Sequence, residues 1–182
     1  MRATIARMDD LRYPVGKFTR EGTVSADKRR VWIQQIKDAP AAMRQAISGL
    51  SERQLDTPYR PGGWTVRQVA HHVPDSHMNA YIRCKLALTE DNPTIKAYNE
   101  TEWAKVADTA RTPVNVSLTL LESLHTRWGV LLDSLAEADF ARPLQHPEHG
   151  QVTIDWLLQL YAWHGRHHVA HIMELRKREG WT

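Results

Sequence analysis

The run His164-Gly165-Arg166-His167-His168-Val169-Ala170-His171 holds four of the chain's ten histidines. An apolar helical pattern that starts at Ile154 runs through it, so a helix places these imidazoles. Residues four apart on a helix lie about 40° apart around the axis, which puts His164 and His168 on one face, one turn apart. That is the spacing of two metal ligands. Leu157 and Leu175 fall between the same two directions, so the pair sits on the stripe that must face a core. His167 lies about 60° to one side of His164 and is a flanking position, whereas His171 still points roughly inward. Two plainer readings compete. A solvated His-rich face would bind metal only by accident, and placement on the buried stripe argues against it. Core histidines hydrogen-bonded to neighbours are the expected case for His167 or His171.

A third ligand has to come from another element, and the helix predicted from Thr65 to about Thr89 carries His71, His72 and His77. Its start is well marked. Thr65 with Gln68 forms a capping box, and Trp64 with Val69 can staple it. Val66, Val69, Val73, Ala80, Cys84 and Ala87 define the buried face. His71 points almost directly away from that face, His72 lies at its edge within about 60° of Val69, and His77 lies on the other flank. His72 is the better inward candidate, with His77 still open. Asp75 neighbours His72 and could orient its imidazole or act as a base. Pro74 should bend the helix beside it.

Four such helices account for most of the chain. Ser25 can cap the first, with Trp32, Ile36, Met43, Ile47 and Leu50 inside and a kink or split expected between Asp38 and Pro40. Residues 51–56 read as one short turn and 57–63, with two prolines and two glycines, as a loop. A long connection over 90–112 contains a helical stretch from Asn99 to Ala107. Thr112 caps and Pro113 opens the third helix, whose inner residues are Leu118, Leu121, Leu124, Trp128, Leu131, Leu132 and Leu135. Its Glu122-x-x-His125 step occurs once and lacks the partners of a di-iron site, so it reads as chance. Residues 136–151 are turn-rich, and His146 and His149 are expected in solvent there. Thr153 caps the last helix and Gly180 ends it. With no competing strand pattern, the fold class is all-α, a four-helix bundle in one domain over 1–182, with an N-terminal arm over 1–24.

Composition excludes several functions. Basic residues exceed acidic ones by only three in 182, and they are dispersed, so no nucleic-acid partner is expected. No run is long enough to span a membrane. The single cysteine, Cys84, excludes an internal disulfide and reads as packing on an apolar stripe; with no signal-peptide pattern, a reducing cytoplasm is expected.

The segments Trp64–Asn79 and Tyr161–Ile172, in this order, resemble the YfiT branch of the DinB superfamily, and the similarity runs from Tyr13-Pro14-Val15-Gly16 to Trp181. Pro74 departs from the pattern, where a small or aliphatic residue is expected. The resemblance implies a bundle of the DinB/YfiT-like type, often a homodimer, with one divalent metal ion on three histidines. Its His-x-x-Asp step falls on His72 and its His-x-x-x-His step on His164 and His168, the three that angle alone favours. It implies a metal-dependent hydrolase acting on a small-molecule substrate, or a transferase joining a low-molecular-weight thiol to an electrophile.

A divalent ion on neutral imidazoles activates water or a thiol, so one site serves either chemistry. Zinc or nickel suits imidazole donors. Asp75, His167 and His171 are the candidate catalytic acid–base residues. The rival from another class is a non-catalytic metal-binding module that acts through a partner.

Overall fold

The structure, a computed structural model, describes residues 11–182; the first ten positions of the expected arm lie outside the described residues. The elements are α1 (Ala26–Ile47), α2 (Glu52–Leu55), α3 (Val66–Thr89), α4 (Glu100–Trp103), α5 (Ala107–Arg111), α6 (Val114–Asp133), a 3-10 turn (Glu137–Ala141), strands β1 (Pro143–His146) and β2 (Gly150–Thr153), and α7 (Ile154–Glu179). α1, α3, α6 and α7 form the four-helix bundle.

Local chemistry sets most boundaries. The hydroxyls of Ser25, Thr65 and Thr153 accept from Lys28, Gln68 and Trp156 backbone N–H groups, and the Thr65 box is closed by the Gln68 side chain. Gly180 ends α7 in the left-handed region at φ 66°, which costs a residue without Cβ nothing. Among the described residues no helix is long and apolar enough to cross a membrane.

Which residues share a core shows how the helices run. One apolar cluster joins Ile33 and Ile36 of α1, Ala80 to Ala87 of α3, Trp128 and Leu132 of α6, and the Ile154–Ala162 end of α7. The other joins Met43 to Ile47, Val66 to Val73, Leu118 and Leu121, and Ile172 and Leu175. α1 and α7 therefore run one way and α3 and α6 the other. A buried bidentate pair between Arg29 and Asp155, at 2.7 and 2.6 Å, ties the N-terminal ends of the parallel helices α1 and α7 together. Each of α1 and α3 packs against both α6 and α7, while α1 and α3 lie on a diagonal. Between the two clusters, at mid-height on three of the four helices, lie His72, His77, His125, His164 and His168, so a layer of imidazoles divides the core.

Several expectations need correction. Pro40 does not split α1 into two elements: the helix is continuous through it, and the carbonyl it deprives of a donor finds another, described below. Pro74 likewise lies inside an unbroken α3. The third helix begins one residue late, with Pro113 rather than Thr112 at its cap and no side-chain cap bond. The 99–107 stretch is split between α4 and α5. Residues 136–151 contain an antiparallel hairpin that no sequence pattern announced; with four residues per strand there is too little length for a period to show, and only the paired Leu144 and Val152 are buried apolar residues in it. Cys84 is buried, as expected of packing, and burial pushes its thiol up to about 12.

Candidate metal centre

His72 from α3 and His164 and His168 from α7 converge, with one ring nitrogen of each lying within 4.8 Å of the others. The Nε2 atom of His164 is 3.4 Å from Nε2 of His72 and 3.2 Å from Nε2 of His168. Nitrogens bound tetrahedrally at zinc distances stand about 3.3–3.4 Å apart, and neighbouring nitrogens of an octahedron about 2.9–3.0 Å. The two spacings at His164 match edges of a tetrahedron more closely than those of an octahedron. Trp64 packs over the group, its ring 4.6 Å from that of His72. Burial first, and neighbouring imidazoles second, push His72 down to about 3 and His164 and His168 well below the usual histidine value. All three are neutral at pH 7, the state in which imidazole is a ligand.

Behind His164 the layer continues. His164 Nδ1 lies 3.0 Å from His77 Nε2, His77 Nδ1 lies 2.8 Å from His125 Nε2, and His125 Nδ1 lies 2.6 Å from the Ile36 carbonyl oxygen. A carbonyl can only accept, so His125 donates from Nδ1. In a neutral ring its Nε2 is then an acceptor, which makes His77 the donor from Nδ1 and an acceptor at Nε2. His164 consequently donates from Nδ1. Its Nε2 is left as a lone pair facing His72 and His168. The chain starts at Ile36 because Pro40, four residues on, has no N–H to offer that carbonyl. A proline on α1 thus determines which nitrogen of a histidine on α7 is free.

His125 is the residue that sequence reasoning missed, and His77, left open there as a ligand candidate, lies behind the triad instead. His77 is fully buried and His125 is 3% exposed. The Glu122-x-x-His125 step splits accordingly, with Glu122 on the surface paired to Arg44 and His125 inside. The available signal was a pair of polar residues on stripes otherwise apolar, but nothing in one helix names a partner on another. His71 also departs from expectation: it is buried, its Nδ1 lies 2.7 Å from Ser117 Oγ, and burial lowers its pKa. α3 is covered by α6 on the side that its apolar stripe does not mark.

The three acid–base candidates part company. His167 and His171 line the cavity in front of the triad, and Asp75 does not. Asp75 makes no hydrogen bond to His72 among the described residues; burial and then Asp108 raise its carboxyl to about 6. His171 stacks on Tyr59 at 3.9 Å and donates from Nε2 to the Arg12 carbonyl of the arm at 3.0 Å. His167 stacks on Trp163 at 4.3 Å, and burial pushes it down to about 3. The described part of the arm therefore lies along α7, fastened also by Trp163 Nε1–H to Gly16 O at 3.0 Å.

The cavity measures about 540 Å³ and has mixed walls, with Tyr13, Tyr98 and Tyr161 beside Arg60 and Arg83. At its far end His146, Glu148 and His149 also bring ligand atoms within 4.8 Å of one another. His146 is buried there, not exposed as its turn-rich segment suggested, whereas His149 is exposed. The positive charge of Arg83 helps lower the pKa of His146 and would oppose a cation at this group.

Residues 35–172 match the sequence profile of the DinB superfamily. Proteins of Bacillus mycoides (strain KBAB4) and Bacillus thuringiensis subsp. konkukian (strain 97-27), each named "Putative metal-dependent hydrolase", are 56% identical over 174 residues, spanning 96% of this chain and 100% of each relative. The solved structure of YfiT from Bacillus subtilis superimposes with a TM-score of 0.92 at 45% identity, covering 95% of this chain and 99% of that one. It is described as a probable metal-dependent hydrolase with an unusual four-helix bundle topology.

Proposed function

The chain belongs to the DinB superfamily, and from that premise we propose that it is a metal-dependent hydrolase holding one divalent ion on the Nε2 atoms of His72, His164 and His168. The observation that carries this reading is the convergence of three neutral imidazoles within 4.8 Å, His164 standing 3.4 and 3.2 Å from the other two with its lone pair directed towards them. The two spacings at His164 suit four-coordinate zinc better than an octahedral ion such as nickel. Three protein ligands leave room for water and substrate, unlike the closed shell of a structural site.

A divalent ion so held lowers the pKa of its water towards about 7 and polarises a carbonyl. The chain supplies the rest. Trp64 covers one side of the group at the cavity wall, and the tyrosines of that wall orient a substrate against the open side. Among the acid–base candidates only His167 lines the cavity without a bond to the described part of the arm, and as a neutral ring we assign it to hydrogen bonding the reacting group rather than to storing its proton.

Elemental analysis of untagged protein tests the site. Wild type is expected to carry close to one metal per chain, and the folded variants His72→Ala, His164→Ala and His168→Ala to carry none. Ester and amide panels then test the reaction, with activity lost on chelation and restored by metal. Metal retained in all three variants would remove the site. Turnover that requires an added thiol would replace hydrolysis by thiol transfer.

A further inference from the structure

Arg83 stands eleven residues after His72 on α3, which is three turns and a residual angle of about 20°, so the two share a face with a backbone separation of about 16 Å along the axis. It lines the same cavity as the triad and is only 7% exposed. Among the described residues its one hydrogen bond runs from Nη2 to the Lys96 carbonyl, at 3.2 Å. Among the same residues Nε and Nη1 have no protein acceptor and no carboxylate forms an ion pair with it; Glu100 and Glu148, the acidic residues of the cavity wall, are exposed and make no bond to it. A buried lysine or histidine can relieve such a position by losing its proton. Arginine cannot, so only cavity water or a bound anion can meet its charge, and an anion does so more strongly.

The surroundings supply a second donor. The Glu148 backbone N–H donates to His146 Nδ1 at 3.2 Å, so the proton of a neutral His146 ring is on Nε2. That nitrogen has no protein partner among the described residues, and His146 lines the cavity too. Between this end and the triad lie Ser76, on the same face of α3, and Tyr161, with their hydroxyls 3.4 Å apart.

We propose that Arg83, assisted by His146 Nε2–H, is the recognition site for an anionic group of the substrate, a carboxylate or a phosphate, held at the opposite end of the cavity from the reacting bond. The substrate is then an elongated molecule with a negative tail, and short neutral esters and amides are poor substrates. The reacting end of this assignment rests on the metal-dependent reading above; the anion site does not.

The test uses metal-loaded full-length protein and alkyl hydroxamates as probes, because a hydroxamate head chelates the metal and its tail can be varied. Three matched series of graded chain length carry a terminal methyl, carboxylate or phosphonate. Wild type is expected to bind one length of the charged series about ten- to a hundredfold more tightly than its methyl-terminated match, the range of a hydrogen bond to a charged group. Arg83→Met should abolish that preference and Arg83→Lys retain part of it, with helix content and metal content unchanged. A stronger gain with phosphonate than with carboxylate identifies a phosphate tail. Equal binding of charged and methyl tails by wild type, a comparison that needs no variant to fold, overturns the proposal, as does a preference that survives Arg83→Met. The two readings fail separately. Preference without any ester or amide turnover leaves the anion site and removes the hydrolase, whereas equal turnover of neutral and carboxylated esters leaves the hydrolase and removes the anion site.

Discussion

His164 and His168 sit one turn apart on α7 and present the same nitrogen to the same point, yet the protein holds them in different ways. The Nδ1 of His164 is fixed through His77 and His125 to the Ile36 carbonyl. The Nδ1 of His168 is buried with no partner among the described residues. One ring is oriented in advance by a chain of hydrogen bonds, and the other by packing against Trp64 and by whatever its Nε2 meets. The difference teaches that the dry side of the centre is preorganised, while the side facing the cavity keeps its freedom. An unsatisfied buried polar atom costs about 1–3 kcal/mol, and coordination at Nε2 is what would offset it at His168.

The largest way to break this contrast is His77→Leu, which leaves polar atoms of both His164 and His125 buried without partners. We expect a loss of about 2–5 kcal/mol in chemical denaturation and a drop in metal affinity of about ten- to a hundredfold, as for other groups that orient a ligand from behind. Competition with a chelator reads the second quantity. Full metal affinity in a folded His77→Leu protein would falsify the orienting role of the chain.

Acid should separate the two sides next. Burial pushes His125 down to about 4, against about 6.5 in an unfolded chain. Between these values the unfolded state binds more protons, so stability rises with pH there and is lost as pH falls from about 6.5 towards 4. For His125 this amounts to roughly 2–3 kcal/mol. Urea midpoints of metal-free protein, taken at steps from neutral pH to pH 4.5, should show that slope added to those of the other buried histidines, and His125→Leu should reduce it by His125's share. An unchanged slope would mean that other groups carry the acid sensitivity.

Pro40→Ala sharpens the comparison because its two readouts should move in opposite directions. The substitution returns an N–H to the Ile36 carbonyl and improves helix propensity, by up to about 3 kcal/mol on intrinsic scales, so stability should hold or increase. The same N–H competes with His125, and metal affinity should fall by about tenfold. Equal affinity in the two proteins would show that the carbonyl serves both donors. The smallest effect is expected at Gly165, where an added Cβ would lie 3.0 Å from Ala39 Cβ and 3.7 Å from His77 Cε1. Gly165→Ala gains about 1 kcal/mol in helix propensity, which the contact between α7 and α1 opposes. A net change within about 1 kcal/mol in the thermal midpoint, with metal content intact, is the expected result; loss of metal would place Gly165 among the residues that seat His77.

Much of the architecture was legible because it is local. Capping boxes, the apolar stripes of α3 and α7 and the glycine stop are encoded within a few residues of where they act, and the choice of His72 over His71 followed from a single helical angle. The same angles misled for His71 and left His77 undecided, since a helix in a bundle meets neighbours on more than its most apolar stripe. The hairpin and the buried place of His146 escaped for want of length. Asp75 was chosen for its spacing from His72, and the turn of α3 carries it to the Asp108 side instead.

The sequence by itself determined the four long helices, most of their caps and the shared face of His164 and His168, with His72 favoured as partner, because period and spacing on one helix decide which side chains share a face. Only the tertiary structure decided the chain from Pro40 to His164 and the isolation of Arg83 in the cavity. Residues 36, 77, 125 and 164 lie on four different helices, and the absence of a partner for a buried charge is a property of everything packed around it. Both depend on how the helices are rotated and set against one another, which no local pattern encodes.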